Sequence, residues 1–151
     1  MGKSINLIIL EGGTIYDPYK NKKKAGSILI EDGVVKEVGK GTTPDNARKI
    51  DCAGKLIVPG LIDIHAHFRE PGREEKEALV TGARAAIFGG FTRVCVMPNT
   101  DPPLDSPEAI RFIIEKSADL PVKIYPIGAI TFGQKGLELT EFGEMVKAGA
   151  V

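Results

Sequence analysis

The chain has 151 residues, 42% of them apolar and 26% charged, a size and balance that fit an ordinary globular protein with a real core. Lys plus Arg and Asp plus Glu number 20 each, which removes the net positive field that nucleic acid or an anionic membrane surface would draw on. Two cysteines, Cys52 and Cys95, lie outside any CxxC spacing, so a disulfide scaffold is excluded; they read as reduced thiols of a cytoplasmic protein, and no apolar run approaches membrane-spanning length.

The first third has strand grammar. Ile5–Leu10 predicts a strand, and Gly12-Gly13 reads as a turn before Thr14-Ile15-Tyr16. Asp17-Pro18 breaks that run, and Lys20–Lys24 reads as a solvated basic loop. Ser27–Glu31 and Val34–Val38 flank Asp32-Gly33, a strong hairpin signal. Arg48–Cys52 and Lys55–Val58 complete a small all-β module over residues 1–58.

From residue 59 the pattern changes to alternating strands and helices. A strand running from Leu61 leads to a helix over Arg73–Phe88, with Leu79, Ala83, Ala86 and Ile87 at helical spacing and Gly89-Gly90 as its stop. Thr92–Met97 is the second strand. Ser106-Pro107 reads as an N-cap followed by Pro at the first helical position, with Ala109, Ile110, Ile113 and Ile114 as the apolar face. Val122–Ile127 is the third strand, and a third helix over Thr140–Ala148 turns Phe142, Met145 and Val146 inward before Gly149. Ala150-Val151 reads as the first step of a fourth strand.

Strand starts near residues 61, 92, 122 and 150 give a period of about 30 residues, the size of one βα unit. Such repeats build a parallel sheet, either doubly wound or closed into a (β/α)8 barrel. A barrel takes eight units and typically ~250 residues. The fold class is therefore α/β, an incomplete TIM barrel over residues 59–151 holding the first three units, and the chain reads as the N-terminal part of something longer.

Chemistry concentrates at the end of the first barrel strand. His65 and His67 are the only two histidines, and side chains alternate along a strand, so both point to one side and can chelate one metal ion. Parallel βα sheets bind ligands at the carboxyl ends of their strands, where this pair falls. Imidazole suits zinc. Two ligands are too few for a complete site, and the chain has no third histidine to add. Asp63 shares the same parity one layer deeper and reads as a carboxylate that orients the imidazoles.

Arg69 lies just past the pair, and its guanidinium suits bidentate recognition of a carboxylate, although a loop arginine is also a common surface cation. Asn99 closes the second strand in Met97-Pro98-Asn99-Thr100, either at the same rim or as turn chemistry alone.

The stretch Gly60–Gly72, with its His65-Ala66-His67-Phe68-Arg69-Glu70-Pro71-Gly72, followed by Met97-Pro98-Asn99-Thr100, resembles the dihydroorotases of the amidohydrolase superfamily. Lys55-Leu56-Ile57-Val58-Pro59 also looks like that family's lead into its barrel. The resemblance spans the whole chain, and hydantoinases and allantoinases share the first motif in looser form.

It implies that the β-rich start is part of a composite β-sandwich. It implies that His65 and His67 bind a metal in a centre of one or two zinc ions. Arg69 and Asn99 would hold the free carboxylate of a small-molecule substrate, N-carbamoyl-L-aspartate or L-dihydroorotate, interconverted in pyrimidine biosynthesis. The family's bridging carboxylate, later histidines and catalytic aspartate would fall beyond Val151, so the 151-residue chain alone is expected to be inactive. A homo-oligomer and an aspartate transcarbamoylase partner are further implications. Two other readings stand beside this one: a hydantoinase-like amidase for uncharged rings, and a non-catalytic scaffold for the transcarbamoylase.

Overall fold

The computed structural model describes residues 6–39 and 44–151, so the first residue of the strand expected over Ile5–Leu10 lies outside the described residues. The chain divides into two compact units, Met1–Pro59 and Gly60–Val151.

In the first unit, β1 (Leu7–Asp17) pairs antiparallel with β2 (Lys22–Glu31), which pairs antiparallel with β3 (Val34–Gly39). Asp32 and Gly33 join β2 to β3 at φ 48° and 79°. Two left-handed residues give a two-residue hairpin whose twist matches that of the strands, as the Asp-Gly pair predicts. The opposite edge of β1 is shared by two short parallel strands, β4 (Arg48–Asp51) and β5 (Leu56–Ile57). Among the described residues the unit is one five-stranded sheet.

Two expectations are corrected here. Gly12-Gly13 is no turn: β1 runs straight through it, with a register shift between Leu10 and Gly13. Gly12 at φ 76° absorbs the one extra residue as a bulge, so the ladder resumes beyond it. Lys22–Lys24 is no loop either, since these lysines pair with Ile15–Asp17 while their side chains stay exposed. Charge kept them solvated but did not keep them out of the sheet.

The second unit contains β6 (Leu61–Ala66), α1 (Leu79–Phe88), β7 (Phe91–Val96), α2 (Pro107–Lys116), β8 (Lys123–Pro126) and α3 (Phe142–Ala148). Its sheet has the order β6-β7-β8 and is parallel throughout, the outcome of repeated βα units. Val94, Val96 and Ile124 on the strands meet Leu79, Ala83, Ile110, Ile113 and Met145 on the helices in one buried cluster, joined by Phe68, Leu104 and Val122. The Ser106 hydroxyl accepts the Ala109 N–H at 3.2 Å, as its N-cap position predicts.

Helix α1 starts at Leu79 and not at Arg73. The segment Arg73-Glu74-Glu75-Lys76-Glu77 has no apolar face to bury, and it folds back as a loop in which the Arg69 N–H bonds the Glu77 carbonyl at 2.9 Å. Ile87, expected inside, is 39% exposed, and the buried face of α1 is the narrow seam Leu79, Gly82 and Ala83. Gly82 is required there, because a Cβ would stand 2.5 Å from the Phe68 ring.

In α3 only Met145 is buried, while Phe142 and Val146 are 48% and 64% exposed. A helix of seven residues presents a single turn-spaced residue to the core. Gly149 ends it at φ 109°, and beyond it the Val151 N–H donates to the Pro126 carbonyl at 3.0 Å, alongside the end of β8.

Candidate metal centre

The site grows from an irregularity in β6. Asp63 pairs with Val94 and Ala66 with Val96, so two residues of β6, Ile64 and His65, oppose Cys95 alone. This bulge breaks the simple alternation at Asp63 and corrects its expected role. Asp63 lines a cleft beside α1 together with Ala66, Phe68 and Val94, and its Oδ1 accepts the backbone N–H of His65 at 2.9 Å. Asp63 thus holds the main chain of the bulge and not an imidazole.

His65 and His67 do come together. Their Nε2 atoms are 3.2 Å apart, with ring centroids at 5.1 Å and planes inclined by 65°. Two imidazole nitrogens on one tetrahedral zinc, each at 2.0–2.1 Å, lie roughly 3.3–3.4 Å apart. The donor pair therefore fits a zinc ion with little adjustment. Both rings are exposed, which leaves room for further ligands. Among the described residues no cluster of three or more His, Cys, Asp or Glu is gathered for a metal, so the pair is a partial set.

Asn99 reaches this site through His67. Its Oδ1 lies 2.8 Å from His67 Nδ1. The loop that carries it is fastened to the loop after β6: Met97 N–H donates to the Ala66 carbonyl at 2.9 Å, and Asp101 N–H to the Pro71 carbonyl at 3.0 Å. Gly72, at φ 95°, lies so close to this loop that a Cβ would stand 1.8 Å from the Asp101 carbonyl oxygen. The two sequence motifs are one clamped structure.

Arg69 is half-buried, with its backbone fixed by Glu77 and Arg73, and among the described residues no acidic side chain pairs with its guanidinium.

Glu70 was legible only as part of a loop, yet it is 4% exposed and makes two contacts. Its Oε2 accepts the Leu79 N–H at 2.7 Å, capping α1 where Ala78 has no side-chain acceptor, and its Oε1 pairs with Lys116 of α2. The bond from Glu70 holds the Lys116 ammonium above the usual lysine range. Nearby, the Gly72 N–H bonds Glu74 Oε1 at 3.0 Å and holds that carboxyl below its usual range. The sole local signal for Glu70 was an acid ahead of Pro-Gly; its partner is 46 positions away along the chain (116 − 70).

The family model for dihydro-orotase-like proteins matches residues 54–151, the clamped motifs included. The chain belongs to the dihydro-orotase-like family. Curated relatives called dihydroorotase include those of Acetivibrio thermocellus, 47% identical over 145 residues, and Pelotomaculum thermopropionicum, 47% identical over 144. Each alignment covers 95% of this chain and 34% of the relative, so the chain spans about a third of their length.

Among solved structures, L-hydantoinase (dihydropyrimidinase) from Arthrobacter aurescens superposes with a TM-score of 0.81 at 25% identity, covering 95% of this chain and 31% of that one. A D-hydantoinase gives 0.70 at 25% identity, over 93% of this chain and 29% of the other. Both of these solved proteins are hydantoinases, and this dihydro-orotase-like chain, itself mixed α/β, shares their fold over the matched residues. Among the described residues no helix is long and apolar enough to cross a membrane.

Proposed function

We propose that this chain is part of a zinc-dependent dihydroorotase, which interconverts N-carbamoyl-L-aspartate and L-dihydroorotate. The observation that carries the reading is the 3.2 Å convergence of His65 and His67 Nε2 atoms beside the clamped Asn99 loop. In this reading residues 59–151 are the first three βα units of a (β/α)8 barrel, and residues 1–58 belong to a β-sandwich. The parallel order β6-β7-β8 supports the first, and the exposed Val35 and Val38 of β3, opposite Ile30 and Ile28 and so on one face suited to a second layer, support the other.

His65 and His67 would hold the ion through Nε2. Bound zinc supplies Lewis acidity at the amide carbonyl and an activated water. Arg69 has its backbone tied to Glu77 and a guanidinium without an acidic partner among the described residues, so it receives the substrate's free carboxylate. The Asn99 Nδ2 amide, not used by His67, donates to the same group. The intact enzyme works in the cytoplasm as a homo-oligomer, with aspartate transcarbamoylase a candidate partner.

The hydantoinase neighbours favour a second reading, hydrolysis of an uncharged ring. Arg69 separates the two. In the protein as its gene encodes it, Arg69→Met weakens dihydroorotate binding by about 2–5 kcal/mol, because a desolvated carboxylate loses its partner. Turnover of dihydrouracil, which lacks that carboxylate, stays unchanged. A protein that hydrolyses dihydrouracil in preference to dihydroorotate, or whose Michaelis constant for dihydroorotate ignores Arg69→Met, sinks the dihydroorotase reading.

A further inference from the structure

We infer that Asn99 is a positioning residue for His67, setting the tautomer in which His67 can bind the metal. This rests on the reading of His65 and His67 as a metal pair and deepens it.

An amide oxygen only accepts, so the 2.8 Å contact between Asn99 Oδ1 and His67 Nδ1 places the ring proton on Nδ1. A neutral imidazole with its proton on Nδ1 carries its lone pair on Nε2. That is the atom standing 3.2 Å from His65 Nε2. Were the proton on Nε2 instead, it would occupy the space between the rings and His67 would have no lone pair to offer there.

The asparagine is held to this task from both sides. On one side Met97 N–H bonds the Ala66 carbonyl and Leu104 N–H bonds the Pro98 carbonyl, at 2.9 Å and 3.1 Å. On the other, Asp101 N–H bonds the Pro71 carbonyl at 3.0 Å and the Thr100 hydroxyl bonds the Pro102 carbonyl at 2.7 Å. These four bonds hold the residues on either side of Asn99, and its short side chain leaves little freedom beyond that. An aspartate would accept the same Nδ1 proton, but it would set a negative charge where the substrate's carboxylate binds. Asparagine meets both demands at once: its oxygen serves the metal ligand and its NH2 serves the substrate.

The test uses the protein as its gene encodes it, in wild-type, Asn99→Ala and Asn99→Asp forms. Zinc affinity is measured by competition with a chromogenic chelator. Removing the group that orients a metal-binding histidine typically costs 10–100-fold in metal affinity, so Asn99→Ala loses about that factor. Asn99→Asp keeps the wild-type zinc affinity while its Michaelis constant for dihydroorotate rises. Zinc affinity unchanged in Asn99→Ala, or lost equally in both variants, overturns the inference.

Should Asn99→Ala not fold, ¹⁵N spectra of the metal-free wild type at pH 8 decide. A protonated Nδ1 and a bare Nε2 on His67 support the inference, and the reverse tautomer refutes it. A wild type whose zinc affinity answers to Asn99 but which turns over neither dihydroorotate nor N-carbamoyl-L-aspartate leaves this inference standing and removes the dihydroorotase reading.

Discussion

Replacing Gly72 with Ala tests the clamp that brings Asn99 to the histidines. Gly72 is at φ 95°, and the new Cβ would stand 1.8 Å from the Asp101 carbonyl oxygen. Carbon and oxygen meet comfortably only near ~3.3 Å, so the two backbones must part by roughly 1.5 Å. That movement breaks the bond from Asp101 N–H to the Pro71 carbonyl, now 3.0 Å long. A bond of this kind contributes about 0.5–1.5 kcal/mol, and left-handed backbone at a residue with a Cβ costs about 1–2 kcal/mol. The expected loss is roughly 1.5–3.5 kcal/mol.

Gly90→Ala is the control, since Gly90 has φ 83° and its Cβ would meet nothing within 4 Å. It carries the backbone strain without the collision. Urea unfolding followed by circular dichroism should show Gly72→Ala losing about 1 kcal/mol more than Gly90→Ala, the lost hydrogen bond. Only Gly72→Ala should weaken zinc binding, because Asn99 lies within the displaced loop. Equal destabilisation by the two variants, or unchanged zinc affinity in Gly72→Ala, would show that the clamp does not hold the site.

Lys116 is held above its ordinary 10.5 by its bond to Glu70, so the pair's contribution is fully present below that value and fades as pH rises through the higher folded value. Denaturation midpoints measured from pH 8 to 11.5 should therefore fall more steeply at the alkaline end for wild type than for Lys116→Met; parallel curves contradict the pair. Leu104 has no exposed surface, and Leu104→Ala should cost about 2–5 kcal/mol by calorimetry or urea titration. Glu70→Ala removes the acceptor for the Leu79 N–H and should cost about 0.5–2 kcal/mol, the usual range for a lost helix cap. Hydrogen exchange should place that loss in the first turn of α1.

How much of this was legible in the sequence depended on the range of the interaction. The Asp32-Gly33 hairpin, the Ser106-Pro107 helix start and the His65/His67 pair are set by neighbours within a few positions, and each is where local rules put it. The start of α1 was misplaced because it is decided by Glu70, a cap from outside the helix. Gly12-Gly13 looked like a turn because a bulge and a turn use the same left-handed glycine; only the partner strand distinguishes them.

Asp63 failed by the same cause. One extra residue opposite Cys95 moves it out of the histidine row, and alternation along a single strand carries no sign of that. Asn99 reads from the sequence either as a rim group or as turn chemistry alone, and its bond to His67 joins residues 32 positions apart, which only the folded loops bring together.

In the proposed reading His65 and His67 bind one metal ion jointly through Nε2. Diffraction data collected above and below the zinc absorption edge, on the zinc-loaded protein as its gene encodes it, test this directly. An anomalous peak is expected between the two rings, about 2.0–2.1 Å from each Nε2. A zinc peak elsewhere, with the two imidazoles still bonded only to each other and to Asn99, would contradict it.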